Sequence, residues 1–296
     1  MAIVDTKVKV EGKTVGEYDI VPNPWIEEEY DNDGNLISAK LHGHKKIRNN
    51  MYSDSYRLTS IIIPNSVTTI ESNAFKNCNK LTSIIIPNSV TTIKDSAFEN
   101  CFKLTSIIIP DSVTTMEGRV FRNCSGLASI TISNSIKYIP YYTFEGCSKL
   151  TSITIPNSVT TIRNNAFEGC SSLTSIIIPN SVTTIEYSAF EGCSSLTSII
   201  IPNSVTTIEY SAFQGCSKLT SINIPNSVTT IGTNAFIYCS SLTSIIIPNS
   251  VTKMGGDIFV GCTNLTDIKV PWAEGAVAGA PWGATNATIT YNYTGE

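Results

Sequence analysis

The nine cysteines of this chain stand 23 residues apart, from Cys78, Cys101, Cys124 and Cys147 through Cys170 and Cys193 to Cys216, Cys239 and Cys262. None lies outside that register. A residue type placed so regularly is one structural part repeated, not a collection of separate sites. Leucines keep the same period, from Leu58 through Leu81 and Leu104 to Leu265. Periods of about 20–29 residues signal a solenoid of stacked units. A single unit exposes an apolar face it cannot bury alone; a stack buries it.

One unit runs from Leu173 to Ser195, with apolar residues at Leu173, Ile176, Ile178, Val182, Ile185, Ala189, Phe190 and Cys193. Leu173, Ile176 and Ile178 carry the alternation of a strand entered through a bend. β-Branched isoleucine suits that pleated surface. Pro179 ends the strand because it has no N–H for a ladder. Val182 to Ile185 reads as a second short extended segment. Ser188 is placed to cap a single helical turn from Ala189 to Cys193, and Gly192 lets the chain turn into the next unit. The expected fold is an α/β repeat solenoid. Nine full units start at Leu58, and a tenth stops after its strand at Leu265–Pro271. Ten strands at ~4.8 Å spacing would span about 43 Å before curvature.

The pattern Leu-x-x-Ile-x-Ile-Pro, Val-x-x-Ile, Ala-Phe-x-x-Cys recurs from Leu58 to Cys262. It resembles the BspA-like (Treponema pallidum-type) leucine-rich repeat family of bacterial and protozoan surface proteins. The resemblance implies a right-handed solenoid with a parallel β-sheet on its concave face. It also implies adhesion or ligand binding, and it carries no catalytic residues to transfer.

Four segments follow from the pattern. Residues 1–35 read as an N-terminal cap with a β-hairpin over 7–20, turning at Glu11-Gly12-Lys13. Residues 36–57 read as a degenerate capping repeat, in which Leu36, Ala39 and Leu41 keep the strand spacing. In it Ile47, Met51 and Tyr52 stand for Ile70, Ala74 and Phe75. Residues 58–270 are the solenoid, and 271–296 a C-terminal cap whose Thr288–Tyr293 alternation predicts a strand covering the last edge. Trp272 and Trp282 are placed to seal the core there. This tail, from Pro271-Trp272 through Pro281-Trp282-Gly283-Ala284, also looks like the endings of repeat proteins in gut bacteria and their phages.

Several function classes are disfavoured. Net charge is −4 and charged residues make up 15%, so no basic field invites nucleic acid or an anionic membrane surface. No apolar run reaches the roughly 18 residues of a membrane span. The start, Met1 to Lys7, lacks the pattern of an export signal. The cysteines share one inward register and an odd count, which suits buried thiols better than bridges or a zinc site, and paired CxxC spacing is missing. His42 and His44 form the only histidine pair, a candidate metal dyad without a clear third ligand. Asp and Glu form no repeated facing pair for acid–base work. The chain is expected to be no enzyme and to need no cofactor.

Two columns remain as candidate contact surfaces. The outward position of the main strand reads Ile62, Ile85, Ile108, Thr131, Thr154, Ile177, Ile200, Asn223 and Ile246, then Lys269, beside a serine column from Ser60 to Ser244. Such an apolar stripe rimmed with hydroxyls marks a contact surface; isoleucine ladders also simply favour a sheet. The second column lies at the turn edge, with Tyr141, Tyr187 and Tyr210, joined by Tyr138 and Tyr142 in the irregular unit from Leu127 to Lys149. Exposed tyrosines anchor interfaces; drift in an unconstrained loop explains the same residues. The expected role is a non-catalytic binding or adhesion protein for a protein or glycan ligand, secreted or at a cell surface. A tail-associated protein of a phage virion is the alternative.

Overall fold

A computed structural model describes residues 24–294, together with the backbone of Lys9–Val10 and Lys13–Thr14. The chain divides into two compact units, Met1–Ile136 and Lys137–Glu296.

In the first unit Lys9–Val10 pairs antiparallel with Lys13–Thr14; the rest of the hairpin read over 7–20 lies outside the described residues. Trp25–Tyr30 then pairs antiparallel with Leu36–His42. The sequence reading missed Trp25–Tyr30, because three consecutive glutamates hide its alternation. Asp31 closes the turn: its Oδ1 accepts the backbone N–H groups of Asp33 and Asn35 at 3.1 and 2.8 Å. Leu36–His42 runs parallel to Ser60–Ile62, with Ala39 opposite Ile61. Ala39, Leu41, Ile47 and Tyr52 are buried, and the Tyr52 ring stacks on Phe75 at 5.5 Å. A coil core thus forms from Ala and Tyr where later coils use Ile and Phe.

The second unit shows the repeated coil most plainly. Leu173, Ile176, Ile178, Val182, Ile185, Ala189, Phe190 and Cys193 are all buried, while Ile177 points out. Like residues stack on like: Phe167, Phe190, Phe213 and Phe236 follow one another at 5.4–5.6 Å with near-parallel rings. At the C-terminal end Thr288–Thr290 adds in parallel to Asp267–Lys269. Trp282 is buried and donates its indole N–H to the Ala278 carbonyl at 2.9 Å, whereas Trp272 is only half-buried.

The helical turn expected after Ser188 does not form, and no helix occurs among the described residues. The fold is a repeat solenoid of stacked coils with parallel strands, and the α part of the expectation is corrected. The reason is where the backbone donors go. The N–H groups of Asn165, Phe167 and Gly169 reach across to the carbonyls of Tyr187, Ala189 and Glu191 in the next coil, at 3.1, 2.9 and 2.7 Å. The alternate N–H groups of Ala166, Glu168 and Cys170 close four-residue turns onto the carbonyls of Arg163, Asn165 and Phe167. Half the donors are spent between coils and the alternate half on these turns, so none is left for a helical ladder. Ser188 is no cap either. It is buried, sits in the left-handed region at φ +52°, and donates its N–H to the Tyr210 carbonyl. Gly192 is left-handed too, at φ +69°. Two left-handed residues per coil let alternate amides face along the stack.

The parallel pairing expected of the main strands is present, in short groups and in single bridges such as Ile177 with Ile200. The second, shorter strand carries the longer ladder. In the first unit it joins Lys46–Ile47, Thr69–Ile70, Thr92–Ile93 and Thr115–Met116. In the second unit six such strands pair from Tyr138–Ile139 to Lys253–Met254. The main strands pair in small groups, such as Ser106–Ile108 with Ser129–Thr131 and Ser152–Thr154 with Ser175–Ile177. Residues 83–85 form no strand at all. Most main strands are three residues long and meet a proline without an N–H two residues later, as Pro179 follows Ser175–Ile177, so little ladder can build. The second strand is flanked by extra bonds, Thr183 N–H to the Thr160 carbonyl and Glu186 N–H to the Ile162 carbonyl, both at 2.9 Å.

Candidate functional site

The main-strand face is set by alternation. In the first unit Ile61, Ile84 and Ile107 point into the core, so Ile62, Ile85 and Ile108 point out, 59%, 83% and 67% exposed. Thr131 is exposed beside them. Between the rows of Ile85 and Ile108 lies a depression of about 340 Å³, bounded by Ser83, Asn88, Ser106 and Pro110. It coincides with the segment that makes no strand ladder. In the second unit Thr154, Ile177, Ile200, Asn223 and Ile246 are exposed, with Ile177 and Ile200 both at 76%. The serine column beside them is exposed as well. Large apolar side chains held outward and rimmed by hydroxyls are suited to a contact rather than to chemistry.

The five tyrosines do not gather into one cluster. Tyr138 is half-buried under the Arg163 guanidinium, 4.0 Å from its ring centroid. Tyr141 and Tyr142 are half-buried and meet edge to face at 6.1 Å. Tyr187 and Tyr210 are the exposed ones, at 45% and 50%. The sequence reading missed Tyr238, which is 57% exposed and sits at φ +60° with its ring over Gly261. Its signal was present: Tyr238 stands where Gly192 and Gly215 stand in their coils.

The other candidates resolve into structural parts. All nine cysteines are free and buried. The thiols donate to carbonyls of the coil before them, as Cys170 Sγ does to Phe144 at 3.1 Å and Cys239 Sγ to Phe213 at 3.2 Å. Burial pushes the Cys78 thiol up to about 12 and Cys262 to about 11, and raises Cys170, Cys193 and Cys216 well above the ordinary thiol range. Such thiols are poor nucleophiles. The two histidines go to different partners: His42 stacks on Trp25 at 3.8 Å and meets Glu27 Oε1 at 2.9 Å, while buried His44 meets the His42 carbonyl through Nδ1 at 3.0 Å. Among the described residues no group of three His, Cys, Asp or Glu side chains is placed to hold a metal. No helix among them is long and apolar enough to cross a membrane.

Known proteins show the same architecture. The family profile of the BspA type leucine rich repeat region matches residues 45–174 and 160–274. A leucine rich cell surface protein from Faecalibacterium prausnitzii is 28% identical, with a TM-score of 0.56 over 92% of this chain and 96% of that one. A leucine-rich repeat protein from Bacteroides ovatus is 24% identical, with a TM-score of 0.54 over 86% and 84%. The pneumococcal vaccine antigen PcpA is 20% identical, with a TM-score of 0.54 over 88% and 76%. No curated protein matches the chain. The repeated coil, its buried Phe and Cys columns and the profile spanning residues 45–274 agree: the chain belongs to the BspA-type leucine-rich repeat family.

Proposed function

We propose that this is a non-catalytic binding protein of a bacterial cell surface, which attaches to a protein partner through the main-strand faces of its units. The observation that carries the reading is the set of outward isoleucines on each unit, with Ile85 at 83% in the first and Ile177 and Ile200 at 76% in the second. Burying such side chains at an interface is worth about 25 cal/mol per Å² before association costs. A row of equivalent side chains offers many modest contacts in line, which suits an extended partner. The likeness to a Faecalibacterium protein described as a cell surface protein supports the location. The phage alternative gains no support from these relatives.

The test is attachment of the purified protein to immobilised host matrix proteins and epithelial cells, compared with Ile177→Lys/Ile200→Lys. Attachment lost by a variant with unchanged melting temperature supports the face assignment. Attachment that survives the two lysines moves the site elsewhere.

A further inference from the structure

The turn edge of the second unit presents one acid–aromatic pair twice. Glu186-Tyr187 and Glu209-Tyr210 occupy the same two positions of successive coils, which are tied there by the Ser188 N–H to the Tyr210 carbonyl at 2.9 Å. Both rings are about half exposed, at 45% and 50%. Asn234 Nδ2 reaches the Tyr210 hydroxyl at 3.4 Å. Glu186 uses one oxygen, Oε2, to accept the Asn164 backbone N–H at 3.0 Å. Among the described residues neither Glu186 nor Glu209 is paired with a cation of the chain. The first unit treats this column differently. There Glu71 is held between Lys46 and Lys94, and the neighbouring Ser72, Asp95 and Gly118 carry no ring.

A ring of the neighbouring second-strand ladder in this unit already accepts a guanidinium. Arg163 stands at the position of Glu186 one coil earlier, and its guanidinium lies 4.0 Å from the centre of the Tyr138 ring. A ring face and a carboxylate side by side complement a cation twice, through the ring quadrupole and through charge. A planar, weakly hydrated guanidinium fits this better than an ammonium. We infer that Glu186-Tyr187 and Glu209-Tyr210 form a second docking site, separate from the isoleucine face, for an arginine-bearing extended segment of a partner protein. Backbones one coil apart stand about 4.8 Å from each other, and alternate side chains of an extended strand about 6.8 Å, a difference that long arginine side chains span.

The probe is a fluorescein-labelled Arg-Gly-Arg-Gly-Arg peptide, set against the peptide with citrulline in place of arginine, a neutral group of the same shape. Anisotropy titration at low salt should show the arginine peptide binding at least about tenfold tighter, with the advantage shrinking in 0.5 M salt. Tyr187→Ser/Tyr210→Ser and Glu186→Gln/Glu209→Gln should each remove most of that advantage, and the charge-neutral Ile177→Ser/Ile200→Ser should leave it in place. The control Glu274→Gln, an exposed carboxylate of the C-terminal cap, should change nothing, which separates the site from general attraction to an acidic chain. Equal affinity for the two peptides overturns the inference. So does an arginine preference that neither double variant reduces. Binding of neutral cellohexaose in place of the arginine peptide, lost with the tyrosines, would give the edge to a glycan instead. Failure here leaves the isoleucine face standing, because that face is read out by a different variant and a different ligand.

Discussion

The thiol of Cys193 donates a hydrogen bond to the backbone carbonyl of Phe167 in the preceding coil, 3.2 Å away. That same carbonyl accepts the N–H of Cys170 at 3.1 Å. One buried oxygen therefore has both lone pairs engaged, one by its own coil and one by the next. The cysteine column is thus a set of small apolar side chains that also satisfy carbonyls no water reaches.

The thiols are expected to resist labelling in the native protein and to react fully once it unfolds. Their raised values also set a pH dependence. The unfolded thiol titrates near its ordinary 9.0, while folded Cys78 stays protonated to about 12. Above pH 9 the unfolded chain therefore loses protons that the native chain keeps, and stability falls as pH rises between these values. For one such thiol the slope is about 1.4 kcal/mol per pH unit. Denaturant midpoints at pH 7, 9 and 10.5 check it. A midpoint that rises across this range, or rapid native labelling of several thiols, contradicts the burial.

Phe190 lies between Phe167 at 5.4 Å and Phe213 at 5.6 Å and is fully buried. Phe190→Ala is expected to cost about 3–5 kcal/mol, the range for an aromatic cavity. Lys149→Ala, at an exposed position, should change stability by less than about 0.5 kcal/mol. Equal losses in urea unfolding would mean the inward column is misassigned.

Left-handed positions should rank residues by conformation. Gly192 is at φ +69°, and a Cβ there would meet Gly169 at an ordinary 3.5 Å, so space is not the constraint. Gly192→Ala is expected to cost about 1–2 kcal/mol through backbone strain. Gly192→Asn should cost less than half of that. Asn77, Asn100 and Asn123 adopt this conformation at the same position, and Asn100 Nδ2 reaches Asn77 Oδ1 at 2.7 Å. Melting curves of the two variants decide the order.

Backbone protection should follow the ladders. Thr92–Ile93 pairs on both sides, with Thr69–Ile70 and with Thr115–Met116, whereas residues 83–85 join no strand. Hydrogen exchange is expected to be slower at 92–93 than at 83–85. The reverse order would restore the main strand as the spine of the first unit.

Much of this was readable from residues alone. A period of 23 residues with Leu, Ile, Phe and Cys at constant places forces stacked coils, because no other arrangement buries every copy at once. Alternation placed Ile176 and Ile178 inward and Ile177 outward, and the inward register of the cysteines made them free thiols. What the sequence could not decide was the local backbone. Ser188, Ala189 and Phe190 read as a cap and a helical turn because short-range propensity weighs only neighbours in the chain. Their N–H groups and carbonyls were in reach of the next coil, and Ser188 and Phe190 each donate to it. Partners 22 residues away in sequence but one coil away in space turned a helix into a ladder of alternating turns. The same holds for the acid–aromatic edge. Glu186, Tyr187, Glu209 and Tyr210 are legible as residues, but their exposure depends on tertiary packing, since the chain must first be wound before one position becomes a surface column.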